Sequence, residues 1–274
     1  MLTQRSLLAI FCVAVAATGS AGPVRAAVSG WTKAQGAQIR LLVDPAGAPS
    51  GAVWGAIQIA LAPGWKTYWE NPGDSGVPPK LDLPGSANIA DAKLLFPAPE
   101  RHVDNGLTWA GYEQPVSLPL RLKLERPGQP AQLRGSVFLG ICKDICIPVE
   151  AHFDVRISAD RQDVLAHTIV TAARSSLPPP ASADFGLVSA ARKGQQLVLE
   201  ALVPGPDRPA ELFISGGEAL IVGTPVAVSP AAGERREFLV PITGGSDEKG
   251  GAGIPLSYTL IQDGQARTGE IATR

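Results

Sequence analysis

Leu118, Leu120, Leu122 and Leu124 alternate with Pro119, Arg121, Lys123 and Glu125, a pattern that suits a strand and not a helix. A 3.6-residue period would scatter the four leucines around an axis, whereas a two-residue period puts them all on one face. The same alternation returns along the chain. Val53, Ile57, Ile59 and Leu61 share a face ahead of the turn dipeptide Pro63-Gly64. Leu133, Val137 and Leu139 follow, then Phe153, Val155 and Ile157. Later come Leu197, Leu199, Ala201 and Val203, then Phe238, Val240 and Ile242, then Leu256, Tyr258 and Leu260. With 30 Gly and 25 Pro to make turns, the pattern predicts an all-β chain of short, half-buried strands.

One helix is predicted after the strand at 153–157. Ser158 or Asp160 caps it, and Leu165, Ile169, Ala172 and Ala173 fall at helical spacing. The Pro-rich segment 175–183 then reads as a stiff connector. It divides a first β-domain at 27–174 from a second, smaller β-sandwich at 184–274. All five Trp residues precede residue 113, so the first unit has the heavier aromatic content. The second unit has no chemistry-bearing motif.

The N-terminus has the form of an export signal. Arg5 gives a positive start, Leu7 to Ala17 an apolar run, and Val24-Arg25-Ala26 a small-x-small cleavage pattern. Residues 1–26 are therefore expected to be removed, and the mature chain to be periplasmic. The apolar run is too short to cross a bilayer, and no later run reaches that length. A net charge of −1 without Lys/Arg clusters gives no reason to expect nucleic acid.

Loss of the signal would remove Cys12 and leave one pair, Cys142 and Cys146, between two predicted strands. Residues four apart in an extended strand lie about 13 Å apart, so a bond between them requires a turn at Lys143-Asp144-Ile145. An exported chain meets oxidising conditions that allow such a bond. Closing so short a loop contributes only about 2 kcal/mol on the chain-entropy account, against about 4 kcal/mol for a bridge spanning 50 residues. The pair is thus poorly placed as a staple and well placed for exchange. Three readings stay open on spacing alone: redox exchange, a structural disulfide, or part of a metal site. His152 is near enough in sequence to Cys146 to join a copper or zinc site, but two thiols fall short of the four ligands typical of structural zinc.

Four ordered motifs add to this reading: Trp65-Lys-Thr-Tyr-Trp-Glu-Asn-Pro-Gly-Asp-Ser-Gly-Val-Pro78, Phe96-Pro-Ala-Pro-Glu-Arg101, Gly111-Tyr112-Glu113 and Cys142-Lys-Asp-Ile-Cys-Ile-Pro148. Together they resemble the N-terminal periplasmic domain of the DsbD and ScsB thiol:disulfide interchange proteins. The resemblance covers roughly residues 28–160. It implies an immunoglobulin-like β-sandwich with one redox-active pair, Cys142 and Cys146, the second being the one that forms mixed disulfides. It implies a cap loop over the pair, which by chain order falls at Asp104 to Tyr112 and includes Asp104, Trp109 and Tyr112. It also implies thioredoxin-like periplasmic partners, protein-disulfide reductase chemistry, and no cofactor or metal. The sequence departs from the family in two ways. Fewer residues separate its cysteines than in the best-studied branch. No membrane or thioredoxin-like domain is read within 274 residues, so a separate membrane electron conduit is expected to reduce the pair.

The alternative function is a non-catalytic binding module with a structural disulfide or a Cys-based copper site, serving metal tolerance. Within the first motif, Trp65, Tyr68 and Trp69 are expected to serve core and loop packing. Glu70 and Asp74 are read as solvated loop residues rather than a carboxylate pair. No nucleophile elbow, phosphate loop or His-Glu-x-x-His motif is present.

Overall fold

Alternation makes strands here because each apolar face has an opposing face to pack against. The computed structural model describes residues 27–160, 162–205, 208–228, 233–246 and 253–274; the expected signal at 1–26, with Cys12, lies outside them. The chain begins with β1 (Thr32–Ala34), β2 (Ala37–Asp44), β3 (Ala52–Leu61), β4 (Thr67–Gly73), β5 (Lys80–Asp82) and β6 (Ile89–Leu94). It continues with β7 (Glu100–Asp104), β8 (Leu107–Tyr112), β9 (Val116–Leu124), β10 (Ala131–Cys142), β11 (Cys146–Ile157) and helix α1 (Val164–Ser175). After the helix come β12 (Gly186–Lys193), β13 (Gln196–Leu202), β14 (Glu211–Ser215), β15 (Ile221–Val222), β16 (Val226–Ala227), β17 (Arg235–Gly244), β18 (Pro255–Gln262) and β19 (Gln265–Ala272).

The protein is all-β in class. One antiparallel sheet runs β1-β2-β3-β9-β6 and a second runs β11-β10-β5, while β4-β8-β7 forms a smaller third. Val53, Ile57 and Ile59 of β3 and the four leucines of β9 are buried with Leu133, Val137 and Leu139 of β10 and Val155 and Ile157 of β11. This is the interior of a β-sandwich, closed by the inward faces of both sheets. The later strands form β12-β13-β17-β15, with β16 beside β17, and β14-β18-β19. A second core lies among them, holding Leu197, Leu199, Phe238, Val240, Leu256 and Leu260.

The helix differs from expectation in its cap and in half of its face, since Ile169 and Ala173 pack as expected. Asp163 is the cap, and its carboxylate accepts the Ala166 N–H at 3.0 Å. Ser158 and Asp160 lie in the turn that follows β11. The buried positions are Ala166, Val170 and Ala173, packed on Leu42 and Ala56, while Leu165 and Ala172 are exposed. Alanine at the contact lets the helix backbone approach the outer face of the first sheet. The larger Leu165 has no such neighbour. The connector does not hang free either. Ala181 N–H donates to Thr268 O at 2.8 Å and Thr268 N–H to Pro179 O at 3.0 Å, laying it along β19.

The two cores meet. Phe213 of β14 is buried in the first core, edge-on to Trp69 at 5.9 Å between ring centroids. Beside it, Glu70 accepts a hydrogen bond from Ser257 Oγ at 2.8 Å. Burial pushes the Glu70 carboxyl above its ordinary range, against the opposing pull of that hydrogen bond and of Lys93. A raised folded-state value favours the neutral form. Its stabilisation is complete at low pH and is lost as pH rises through that value. Glu70→Gln should therefore melt higher than the parent protein at pH 8 and level with it at pH 4, as a calorimetric pH series will show.

Candidate redox site

Leu133, Val137, Leu139 and Ile141 point into the core, so strand alternation turns Gly140 and Cys142 to the outer face of β10. Cys142 and Cys146 are the last facing pair of the β10–β11 ladder. Facing residues in antiparallel strands approach closely. Here the Cα atoms are 4.1 Å apart and the two sulfurs are bonded. The turn between them is the expected Lys143-Asp144-Ile145, with Lys143 N–H donating to Ile145 O at 3.2 Å.

The two sulfur-bearing residues differ in their surroundings. Cys142 is 1% exposed and is buried with Tyr68 and Trp109. Its backbone is pinned on both sides by Lys66: Lys66 N–H donates to Cys142 O at 2.8 Å, and Cys142 N–H to Lys66 O at 2.9 Å. Thr67 Oγ1 donates to Gly140 O at 2.9 Å. Cys146 is exposed, next to Ile145 at 71%.

Tyr68 lies between the two environments. Its hydroxyl is 3.3 Å from Cys146 Sγ. A disulfide sulfur carries no proton, so the phenol is the donor. Burial first, and the charge of Asp104 second, push the phenol above its ordinary pKa, which keeps its proton in place. The loop that covers this ring needs glycine at residue 76: its φ is +117°, and a Cβ there would lie 2.4 Å from the Tyr68 ring.

The expected cap residues are brought together only in part. Asp104 ends β7, and Asn105-Gly106 makes the turn into β8 with φ of 51° and 81°, a sequence suited to a two-residue hairpin. Asp104 accepts Trp109 Nε1–H at 2.8 Å and is ion-paired to Lys66 Nζ. The hydrogen bond from Lys66 is the first cause holding its carboxyl below the usual range. Trp109 is fully buried, with Lys66 Nζ 4.3 Å from a ring centroid, His102 stacked at 4.2 Å and Tyr68 edge-on at 5.7 Å. Tyr112 sits elsewhere: it belongs to the main core and donates its hydroxyl to Pro97 O at 2.8 Å.

Other sequence candidates also find their places. Trp69 serves the core, as expected of it, but Tyr68 does more than pack. Glu70 and Asp74 do not pair with each other; Asp74 accepts the Thr108 N–H at 3.0 Å. His152 faces Ser136 across the β10–β11 ladder, well along the strands from Cys146. Among the described residues, no group of three or more His, Cys, Asp or Glu side chains is placed to hold a metal ion. Lys66, Tyr68 and His102 are site residues that sequence reasoning missed. The signal for Tyr68 was parity: if Trp69 points into the core, its neighbour on the strand points away from it.

Residues 39–157 match the family described as thiol:disulfide interchange protein DsbD, N-terminal. That segment is similar to the DsbD N-terminal family. Among solved structures, the N-terminal periplasmic domain of ScsB from Proteus mirabilis superposes with a TM-score of 0.68 at 24% identity, over 90% of this chain and 98% of that one. This shared fold reaches past the DsbD-type segment into the later sheets. Titin immunoglobulin tandem domains (12% identity, TM-score 0.19, covering 81% of this chain and 87% of that one) are far looser. So is a protein of unknown function from Porphyromonas gingivalis (12%, 0.23, 85% and 99%), and neither carries weight. No curated protein matches the chain. No helix among the described residues is long and apolar enough to cross a membrane.

Proposed function

We propose that the protein is a periplasmic thiol–disulfide exchange module that relays electrons between protein partners through Cys142 and Cys146. The observation that carries this reading is the asymmetry of the pair, one member sealed and the other open. A partner thiolate attacks Cys146 Sγ from the exposed side. The Cys142–Cys146 bond breaks, its electron pair passes to Cys142 Sγ, and a mixed disulfide forms at Cys146. A second thiolate of the partner attacks the partner's own sulfur in that mixed disulfide and releases Cys146 as thiolate. The partner dithiol ends as a disulfide and this pair ends reduced; the reverse sequence passes the two electrons onward. The partners are thioredoxin-like periplasmic proteins, and a separate membrane conduit supplies electrons. The functional unit is the domain at 27–174, joined through 175–183 to a second domain at 184–274.

Trapping tests this. Cys142→Ser leaves Cys146 without its resolving thiol and should accumulate mixed disulfides with a few specific exported proteins on non-reducing gels. Cys146→Ser, whose remaining thiol is sealed, should accumulate far less. Equal trapping by both variants would remove the assigned polarity. No trapping by either, with a reduction potential below about −300 mV, would leave a structural bond.

A further inference from the structure

The strands beyond the connector have one edge, β14, turned toward the sheet that covers the disulfide. That covering sheet is β4-β8-β7, and β7 is its outermost strand. Only β8 of the β7–β8 hairpin pairs with β4, so β7 has no strand on its outer side, and the hairpin tip carries Val103 and Leu107, which are 67% and 49% exposed. Something must hold its base. Arg101 of β7 makes three contacts, all to β14. Its Nε donates to Glu211 Oε1 at 2.7 Å, its Nη2 donates to Leu212 O at 2.6 Å, and its guanidinium lies 4.4 Å from the Phe213 ring centroid. Asn71 of β4 adds a fourth tie, donating to Ile214 O at 2.7 Å and Val222 O at 3.1 Å.

Arg101 faces Ala110 across the β7–β8 ladder, and the next rung pairs His102 with Trp109. The fork is therefore one rung from the indole that seals Cys142. A planar guanidinium held at two donors and one face fixes a direction as well as a distance.

We infer that β14 is a brace for the cap, and that Arg101 is the positioning residue through which the later sheets set access to the disulfide. This rests on the exchange function proposed above, and it gives the later strands a part in it. The brace sets how readily the β7–β8 hairpin lifts from Cys142. A looser hairpin opens the buried Cys142 side of the bond, where otherwise only Cys146 is open to thiols.

The test compares the unmodified protein with Arg101→Met, Arg101→Lys and Glu211→Gln. Two quantities are read: the rate of Cys142–Cys146 reduction by dithiothreitol, and amide hydrogen exchange across residues 102–110. Arg101→Met should be reduced about tenfold faster, the scale of one charge-assisted hydrogen bond, with faster exchange confined to the hairpin. Arg101→Lys keeps the charge without the fork and should fall between. Glu211→Gln keeps the bond to Leu212 O and covers the case in which Arg101→Met does not fold; it should shift both readouts the same way by less. Rates and exchange unchanged in folded variants would overturn the brace. If the unmodified protein resists every reductant, the exchange function fails instead, and hydrogen exchange in the hairpin still decides on the brace.

Discussion

Trp109→Ala will destabilise the protein by about 3–5 kcal/mol and lower its melting temperature by about 10 °C, given 2–4 °C per kcal/mol for a chain of this size. The indole is fully buried and meets Tyr68, His102 and Lys66, while its N–H is spent on Asp104. Alanine leaves a cavity that these neighbours cannot close without moving, because each is tied elsewhere: Lys66 by its backbone to Cys142, Tyr68 through its hydroxyl to Cys146. The same substitution uncovers Cys142, so dithiothreitol should reduce the pair faster even below the melting transition. Trp31 is the control. It is 38% exposed under Arg40, and Trp31→Ala should cost under about 1 kcal/mol and leave the reduction rate alone. Thermal melts paired with reduction kinetics read both effects. A Trp109→Ala protein that melts with its parent would mean that the indole does not hold the cap.

Parity explains what the sequence made legible and what it hid. The leucines of β9 were readable because one face is buried and the other wet, so side-chain chemistry alternates with the backbone. The site obeys the same rule, but the rule had to be applied strand by strand. On β8, Trp109 faces the disulfide, while Ala110 and Tyr112 face the core. Chain order alone had grouped Trp109 with Tyr112, three residues apart on a strand and therefore on opposite faces. On β4, the neighbours Tyr68 and Trp69 separate in the same way. The helix was read half correctly: Ile169 and Ala173 do pack on the sheet, but Ala166 carries little hydrophobic signal and the conspicuous Leu165 points to water. The junction had no local signal at all. Arg101 reads as an ordinary strand cation until Glu211, 110 residues away, comes beside it.

Tyr68→Phe will make the Cys142–Cys146 pair harder to reduce, moving its potential about 30–60 mV more negative. The hydroxyl contributes unequally to the two redox states. In the disulfide it donates to a bonded sulfur, which is a weak acceptor. In the reduced state it donates to a Cys146 thiolate, and a hydrogen bond to a charged group contributes about 1.5–3 kcal/mol. At about 1.4 kcal/mol per 30 mV for two electrons, that preference sets the expected shift. The proton is available throughout the working range, because burial and Asp104 hold the phenol above its ordinary pKa. Phenylalanine keeps the ring against Trp109 and beneath Gly76, so stability should change by less than about 1 kcal/mol and the redox effect stands apart from folding. A pH series gives the sign. Donation to the thiolate lowers the thiol pKa, so Tyr68→Phe raises it, and the gap in potential should shrink as pH falls and the thiols protonate in both proteins. Equilibration against glutathione at pH 8 and pH 5 measures this. A potential unmoved at pH 8 would reduce Tyr68 to a packing residue and leave the polarity of the pair to the sealing of Cys142 alone.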